Sequence, residues 1–110
     1  MAVTTTSGVT DLFFTESGAG GLGSYNIIET NTAYVATISD DVIIANGTFI
    51  ITLPLVANAD RVVRIKSTVG GGTITVDGNG SETIDGSLTV ALTAGNAATL
   101  SPSSSEWVIL

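Results

Sequence analysis

The stretch that decides the fold is Ala33 to Lys66, AYVATISDDVIIANGTFIITLPLVANADRVVRIK. Its apolar residues come in short, β-branched runs: Ile43-Ile44, then Phe49-Ile50-Ile51-Thr52-Leu53, then Val62-Val63-Arg64-Ile65. Each run has the length of a strand and is too short for an average helix. Asn46-Gly47 lies between the first two runs. Both residues tolerate positive φ, so the pair predicts a type I′ hairpin. Pro54 has no N–H to give to a ladder and ends the second run. Ala57-Asn58-Ala59-Asp60 reads as a polar loop.

Outward from this centre the pattern repeats. A first strand is expected over 33–38, with Asp40-Asp41 as the corner into 42–45. Ser67 to Gly72 is a loose glycine turn, and Thr73-Ile74-Thr75-Val76 alternates polar and apolar. Asp77-Gly78-Asn79-Gly80 is a tight turn, and Thr83-Ile84 a short strand closed by Asp85-Gly86. Leu88-Thr89-Val90-Ala91-Leu92 alternates again, Gly95-Asn96 turns it, and 97–100 and 106–110 finish the chain. Trp107 is expected as a core or interface anchor in a last strand that is paired and packed. Turns every 8–12 residues without an amphipathic helix predict an all-β sandwich or barrel. The expected fold is an antiparallel, jelly-roll-like β-sandwich over residues 33–110, with jelly roll and other sandwich topologies not separated by the sequence.

Residues 1–32 differ. Five glycines and a single compact apolar cluster, Leu12-Phe13-Phe14, predict an N-terminal arm. Two readings stand side by side. The arm docks Phe13 and Phe14 on a neighbouring subunit, or it folds back on its own core.

Composition excludes several function classes. The 110 residues suffice for one domain and one core. There is no cysteine and no histidine, which removes disulfides, thiolate zinc sites and the commonest general base. Three basic against ten acidic residues give a net charge of −7, so neither nucleic acid nor an anionic membrane is an expected partner. The N-terminus MAVTTTSG has neither the basic nor the apolar region of a signal peptide. Charged residues are only 12% of the chain, about half the usual share, while 44% are hydrophobic. That imbalance predicts a subunit that hides surface against copies of itself or a large partner.

The acidic residues are the only candidates for chemistry. Asp40, Asp77 and Asp85 fall at turns, where Asp ordinarily bonds nearby backbone. Asp77 to Glu82 places oxygen ligands at alternate positions but departs from the EF-hand pattern at its sixth and twelfth places. No enzymatic activity, metal or cofactor is therefore expected. Arg64 and Lys66 share one face of a strand by the period of two, with Arg61 on the other face if the strand is regular.

The order Asp41-Val42-Ile43-Ile44, Ile51-Thr52-Leu53-Pro54, Val63-Arg64-Ile65-Lys66, Thr73-Ile74-Thr75-Val76, Thr83-Ile84-Asp85-Gly86, Trp107-Val108-Ile109 resembles bacteriophage virion β-domain proteins. These are small capsid decoration (cement) proteins and the β domains of tail fibres. The likeness spans about residues 33–110. It implies a homotrimer with a structural role on the virion exterior, made in the host cytoplasm, whose partners are its own copies and the major capsid protein. A chain with its own Met and a terminal strand fits a complete decoration protein better than a fibre fragment. The alternative is a receptor-binding fibre tip that recognises host glycans, for which Tyr25, Tyr34, Phe13, Phe14, Phe49 and Trp107 are the available aromatics. The expected partner-binding residues are Phe13, Phe14, Arg61, Arg64 and Lys66.

Overall fold

The computed structural model describes residues 25–110. Nine short strands follow one another: β1 (Ile27–Thr30), β2 (Tyr34–Val35), β3 (Val42–Ala45), β4 (Phe49–Thr52), β5 (Val63–Ser67), β6 (Ile74–Asp77), β7 (Thr89–Leu92), β8 (Ala97–Pro102) and β9 (Trp107–Ile109). One 3₁₀ turn, Val56–Asn58, lies between β4 and β5. The all-β expectation holds, and most strand positions agree with it within a residue or two. The first strand is shorter than expected, two residues in place of six.

The strands form two mixed sheets, ordered β1-β3-β5-β8-β9 and β2-β4-β6-β7. From β1 to β6 the chain alternates between them. Successive strands of each sheet are parallel in this part: β1 with β3, β3 with β5, β2 with β4, and β4 with β6. Three stacked coils result, each giving one strand to each sheet, as in a short β-solenoid. After β6 the direction reverses, and β7, β8 and β9 are all added antiparallel.

This corrects the antiparallel jelly-roll expectation. The Asn46-Gly47 hairpin does not exist, because β3 and β4 belong to different sheets. Gly47 does take a positive φ, 140°, but at a corner between sheets. The corner's polar groups bond the coils above and below. Asn46 N–H donates to Thr30 O (3.0 Å), Thr68 N–H to Ala45 O (3.0 Å), and Gly72 N–H to Gly47 O (3.1 Å). Turn chemistry needs only the unusual φ, and a coil corner needs it as much as a hairpin does. A second correction concerns the arm. Residues 27–30 were expected to belong to it, and they form β1, paired with β3 from Ile27↔Val42 to Thr30↔Ala45.

One core lies between the sheets. In the first sheet Ile28, Ile43, Ile65 and Ala98 stand in one row, from the pairings of Ile28 with Ile43, Ile43 with Ile65, and Ile65 with Ala98. In the second, Ile51 and Val76 are paired and buried, as are Ile74 and Leu92. Parallel stacking places like residues over like, so β-branched side chains form continuous inner ladders. Trp107 is in the core, as expected, and its Nε1–H donates to Pro54 O (3.2 Å).

Candidate interaction face

The outer face of the first sheet carries two of the chain's three cations, Arg64 and Lys66. Two rows cross it: Ile27, Val42, Arg64, Thr99, and Glu29, Ile44, Lys66, Ala97. Alternation along β5 puts Val63, Ile65 and Ser67 inside and Arg64 and Lys66 outside, as the period of two requires. Arg61 precedes β5 in a loop. Three small groups of polar contacts decide what each cation is free to do.

Arg61 is engaged. Its Nη1 lies 3.2 Å from Asp41 Oδ1, and its Nε lies 3.5 Å from Asp60 Oδ1. The hydrogen bond to Asp41 is the main cause that raises the Arg61 pKa above its ordinary value. Asp41 Oδ2 accepts the Asn26 N–H at 2.8 Å. Asp41 therefore ties the approach to β1 to the approach to β5. Lys66 Nζ donates to Gly95 O at 2.6 Å, which satisfies a carbonyl of the β7–β8 turn. Arg64 is exposed, and among the described residues it makes no ion pair. Of the three, its guanidinium is the one available to a partner, with a planar fork that suits a carboxylate.

Two grooves flank the face. Tyr25, Asp41, Val42, Val62 and Arg64 line one of about 150 Å³. Glu29, Thr30, Asn31, Ile44, Asn46 and Thr68 line another of about 470 Å³ where the coil corners stack. Tyr25 is 74% exposed. The other described aromatics are committed to the fold: Trp107 is buried, Phe49 packs on the core, and the Tyr34 hydroxyl donates to Asp40 Oδ2 at 2.8 Å. Phe13 and Phe14 lie outside the described residues.

Of the acidic residues expected at turns, Asp40 accepts from nearby backbone, Asp85 bonds a distant strand, and Asp77 is the last residue of β6, paired with Thr52 and Thr89. Asp40 is only 3% exposed and accepts from Asn26 Nδ2 (3.1 Å), Tyr34 O–H (2.8 Å) and Thr37 N–H (2.9 Å). Burial, and then the Asp40 carboxylate, raise the Tyr34 pKa. The corner at Asp40 is legible in the sequence and its burial is not, since two of its three partners, Asn26 and Tyr34, lie outside the corner. Asp85 has φ 49°, and its Oδ1 accepts the Ile109 N–H (3.4 Å). Glu82 Oε1 accepts the Val56 N–H (3.0 Å), and Asn79 Nδ2 donates to Leu53 O (3.2 Å). The 77–82 loop is thus pinned against the 3₁₀ turn. Among the described residues no three of His, Cys, Asp and Glu come together as a metal site would need.

The arrangement is suited to holding a surface or an extended ligand by hydrogen bonds, apolar contact and the Arg64 guanidinium, which has no ion-pair partner among the described residues. No family model, no curated protein and no solved structure matches the chain.

Proposed function

We propose that the chain is a non-catalytic structural protein of a phage virion, a homotrimer that decorates the exterior of the assembled capsid and stabilises it. The supporting observation is apolar side chains left on the outer faces of both sheets of a chain with few charges. Ile27 is 55% exposed on one sheet, and Val35 (65%) and Ile50 (48%) on the other. Faces of that kind are covered in an assembly. One sheet face would serve the contact between copies, and the Arg64 face the contact with acidic groups of the major capsid protein. Binding only the assembled shell stabilises it by mass action, and three linked contacts add avidity. The phage and capsid assignment comes from the sequence resemblance, and the fold is compatible with it.

The test is light scattering followed by cosedimentation with phage shells stripped of this protein. A trimer of three 11.1 kDa chains that pellets with shells is the expected result, with Arg64→Glu weakening the pelleting. A stable monomer that stays in the supernatant would overturn the proposal.

A second reading is favoured by the Tyr25 groove. An exposed tyrosine beside Asp41 and Arg64 offers a stacking platform with hydrogen-bonding neighbours, as a glycan site at a fibre tip would need. Under that reading the trimer binds host cells, and Tyr25→Ala abolishes the binding without changing the fold.

A further inference from the structure

We propose that the open edge of β1 is the docking site of the chain's own segment Leu12-Phe13-Phe14-Thr15, in the register of one more coil. Among the described residues β1 is the last strand of the first sheet on that side. Asn26 O and Thr30 O accept from β3-side amides, Val42 N–H and Asn46 N–H. In a parallel ladder both polar groups of a residue point to the same neighbour, so alternate residues face opposite sides. The N–H and C=O of Ile27 and Glu29 therefore face the open edge. An edge that no described strand covers, carrying an exposed Ile27, is a template for another strand.

The register names the occupant. Ile27 pairs with Val42, so this coil advances fifteen residues. The same step back from Ile27-Ile28-Glu29-Thr30 reaches Leu12-Phe13-Phe14-Thr15. Eleven residues separate β1 from β3, and eleven separate Thr15 from Ile27, so the chain has the same length to return with. The pattern also matches. Position 13 falls on the inner row that continues as Ile28, Ile43 and Ile65, and position 15 on the row of Thr30, Ala45 and Ser67. Leu12-Phe13-Phe14 is the only compact apolar cluster in the first 26 residues. The intervening Gly18, Gly20, Gly21 and Gly23 suit a return loop better than a strand of the second sheet. Position 14 falls on the outer row with Glu29, which leaves Phe14 facing the side where a partner would bind.

The experiment is amide hydrogen exchange by NMR on the full chain, on a variant lacking residues 1–16, and on Phe13→Asp and Phe14→Asp. The Ile27 and Glu29 amides should exchange at least about tenfold more slowly in the full chain than in the truncated one, because an edge amide gains a hydrogen-bond partner. Phe13→Asp should remove that protection, and Phe14→Asp should keep it. Equal exchange of both amides with and without residues 1–16 would overturn the proposal. Mixed samples of labelled and unlabelled chains give the second check. Contacts between residue 13 and Ile28 within one chain are expected, and contacts found only between chains would replace self-docking by exchange of the segment among copies. Neither readout depends on capsids or glycans, so the outcome is separate from that of the proposed function.

Discussion

The stacked half of the molecule, β1 to β6, and the reversing half, β7 to β9, are built from the same residue types and differ in how partners are found. In the stacked half every ladder joins strands one coil apart: Ile27 to Val42, Val42 to Arg64, Phe49 to Ile74. In the reversing half the pairings are antiparallel: two of them join strands adjacent in the chain, and β8 also returns to β5, from Val63↔Leu100 to Lys66↔Ala97. β6 pairs with β7, and β8 with β9 through a tight turn in which Ser103 N–H donates to Glu106 O at 2.9 Å. Parallel stacking continues for as long as the chain keeps one direction, so the stack has no internal reason to end. Reversal ends it: among the described residues, β7 and β9 are the last strands of their sheets on this side. The two halves are locked by Trp107, which belongs to β9, bonds Pro54 beside β4, and has a backbone N–H that donates to Thr83 O (3.0 Å).

Trp107→Ala should therefore have the largest effect. The side chain is 1% exposed, and truncating a buried Trp costs about 4 kcal/mol. Urea unfolding followed by both circular dichroism and β-sheet amide signals should show one transition at a much lower midpoint. Two separated transitions would mean that the halves fold independently, and the comparison would have to be redrawn as two units.

Within the stacked half, position along the ladder should set the cost. Ile65 is fully buried between Ile43 and Ala98 in the inner row, and Ile65→Ala should cost about 3 kcal/mol. Ile28 is at the outermost described place of the same row and only partly buried, so Ile28→Ala should cost about 1–2 kcal/mol. Equal losses at the two positions would show that the row is closed beyond Ile28 as tightly as it is around Ile65.

The same contrast explains what the sequence could reveal. Strand positions such as 42–45 and 89–92 were legible, because β-branched runs and turn residues are local signals. Which strand pairs with which was not. Asn46-Gly47 has identical local chemistry whether its flanking strands pair with each other or diverge to two sheets, and only the stacking of corners at Thr30, Asn46 and Thr68 separates the cases. The shared outer face of Arg64 and Lys66 follows from alternation, which is local. That Arg61 and Lys66 are engaged, while Arg64 has no ion pair among the described residues, depends on Asp41 and Gly95, which come from other coils and turns.

Tyr34 and Asp40 test whether the first coil is held by polar contacts as well as by its ladder. Tyr34→Phe removes one of the three donors to a buried carboxylate and should cost about 1.5 kcal/mol at neutral pH. The pH dependence has a definite sign. The Tyr34 pKa is raised in the folded state, so the stability it brings is fully present below the unfolded value near 10. Above that, the unfolded chain loses the proton first, and the contribution is lost as pH rises through the folded value. Chemical denaturation of wild type and Tyr34→Phe between pH 8 and about 11 should show the gap between them closing at the alkaline end.

The smallest effect is expected at Arg61, although its ion pair spans two coils. The guanidinium side chain is 48% exposed, and pairs in that setting contribute about 0.5 kcal/mol. Asp41 keeps its bond from Asn26 when Arg61 is replaced, so no carboxylate is stranded. The Arg61 pKa is raised from an already high value, and the stability it brings is lost only as pH rises through that raised value, far above the physiological range. Arg61→Gln should therefore show no pH dependence of its own between pH 6 and 9. It should show salt dependence, because at 1 M ionic strength the screening length falls to about 3 Å. Denaturation midpoints of wild type and Arg61→Gln should differ slightly in low salt and converge in high salt. A difference that persists at 1 M would mean that Arg61 holds the approach to β5 by packing and directed hydrogen bonds. The coils would then be tied at their corners by more than the inner ladders, which would narrow the distinction between the stacked half and the reversing half.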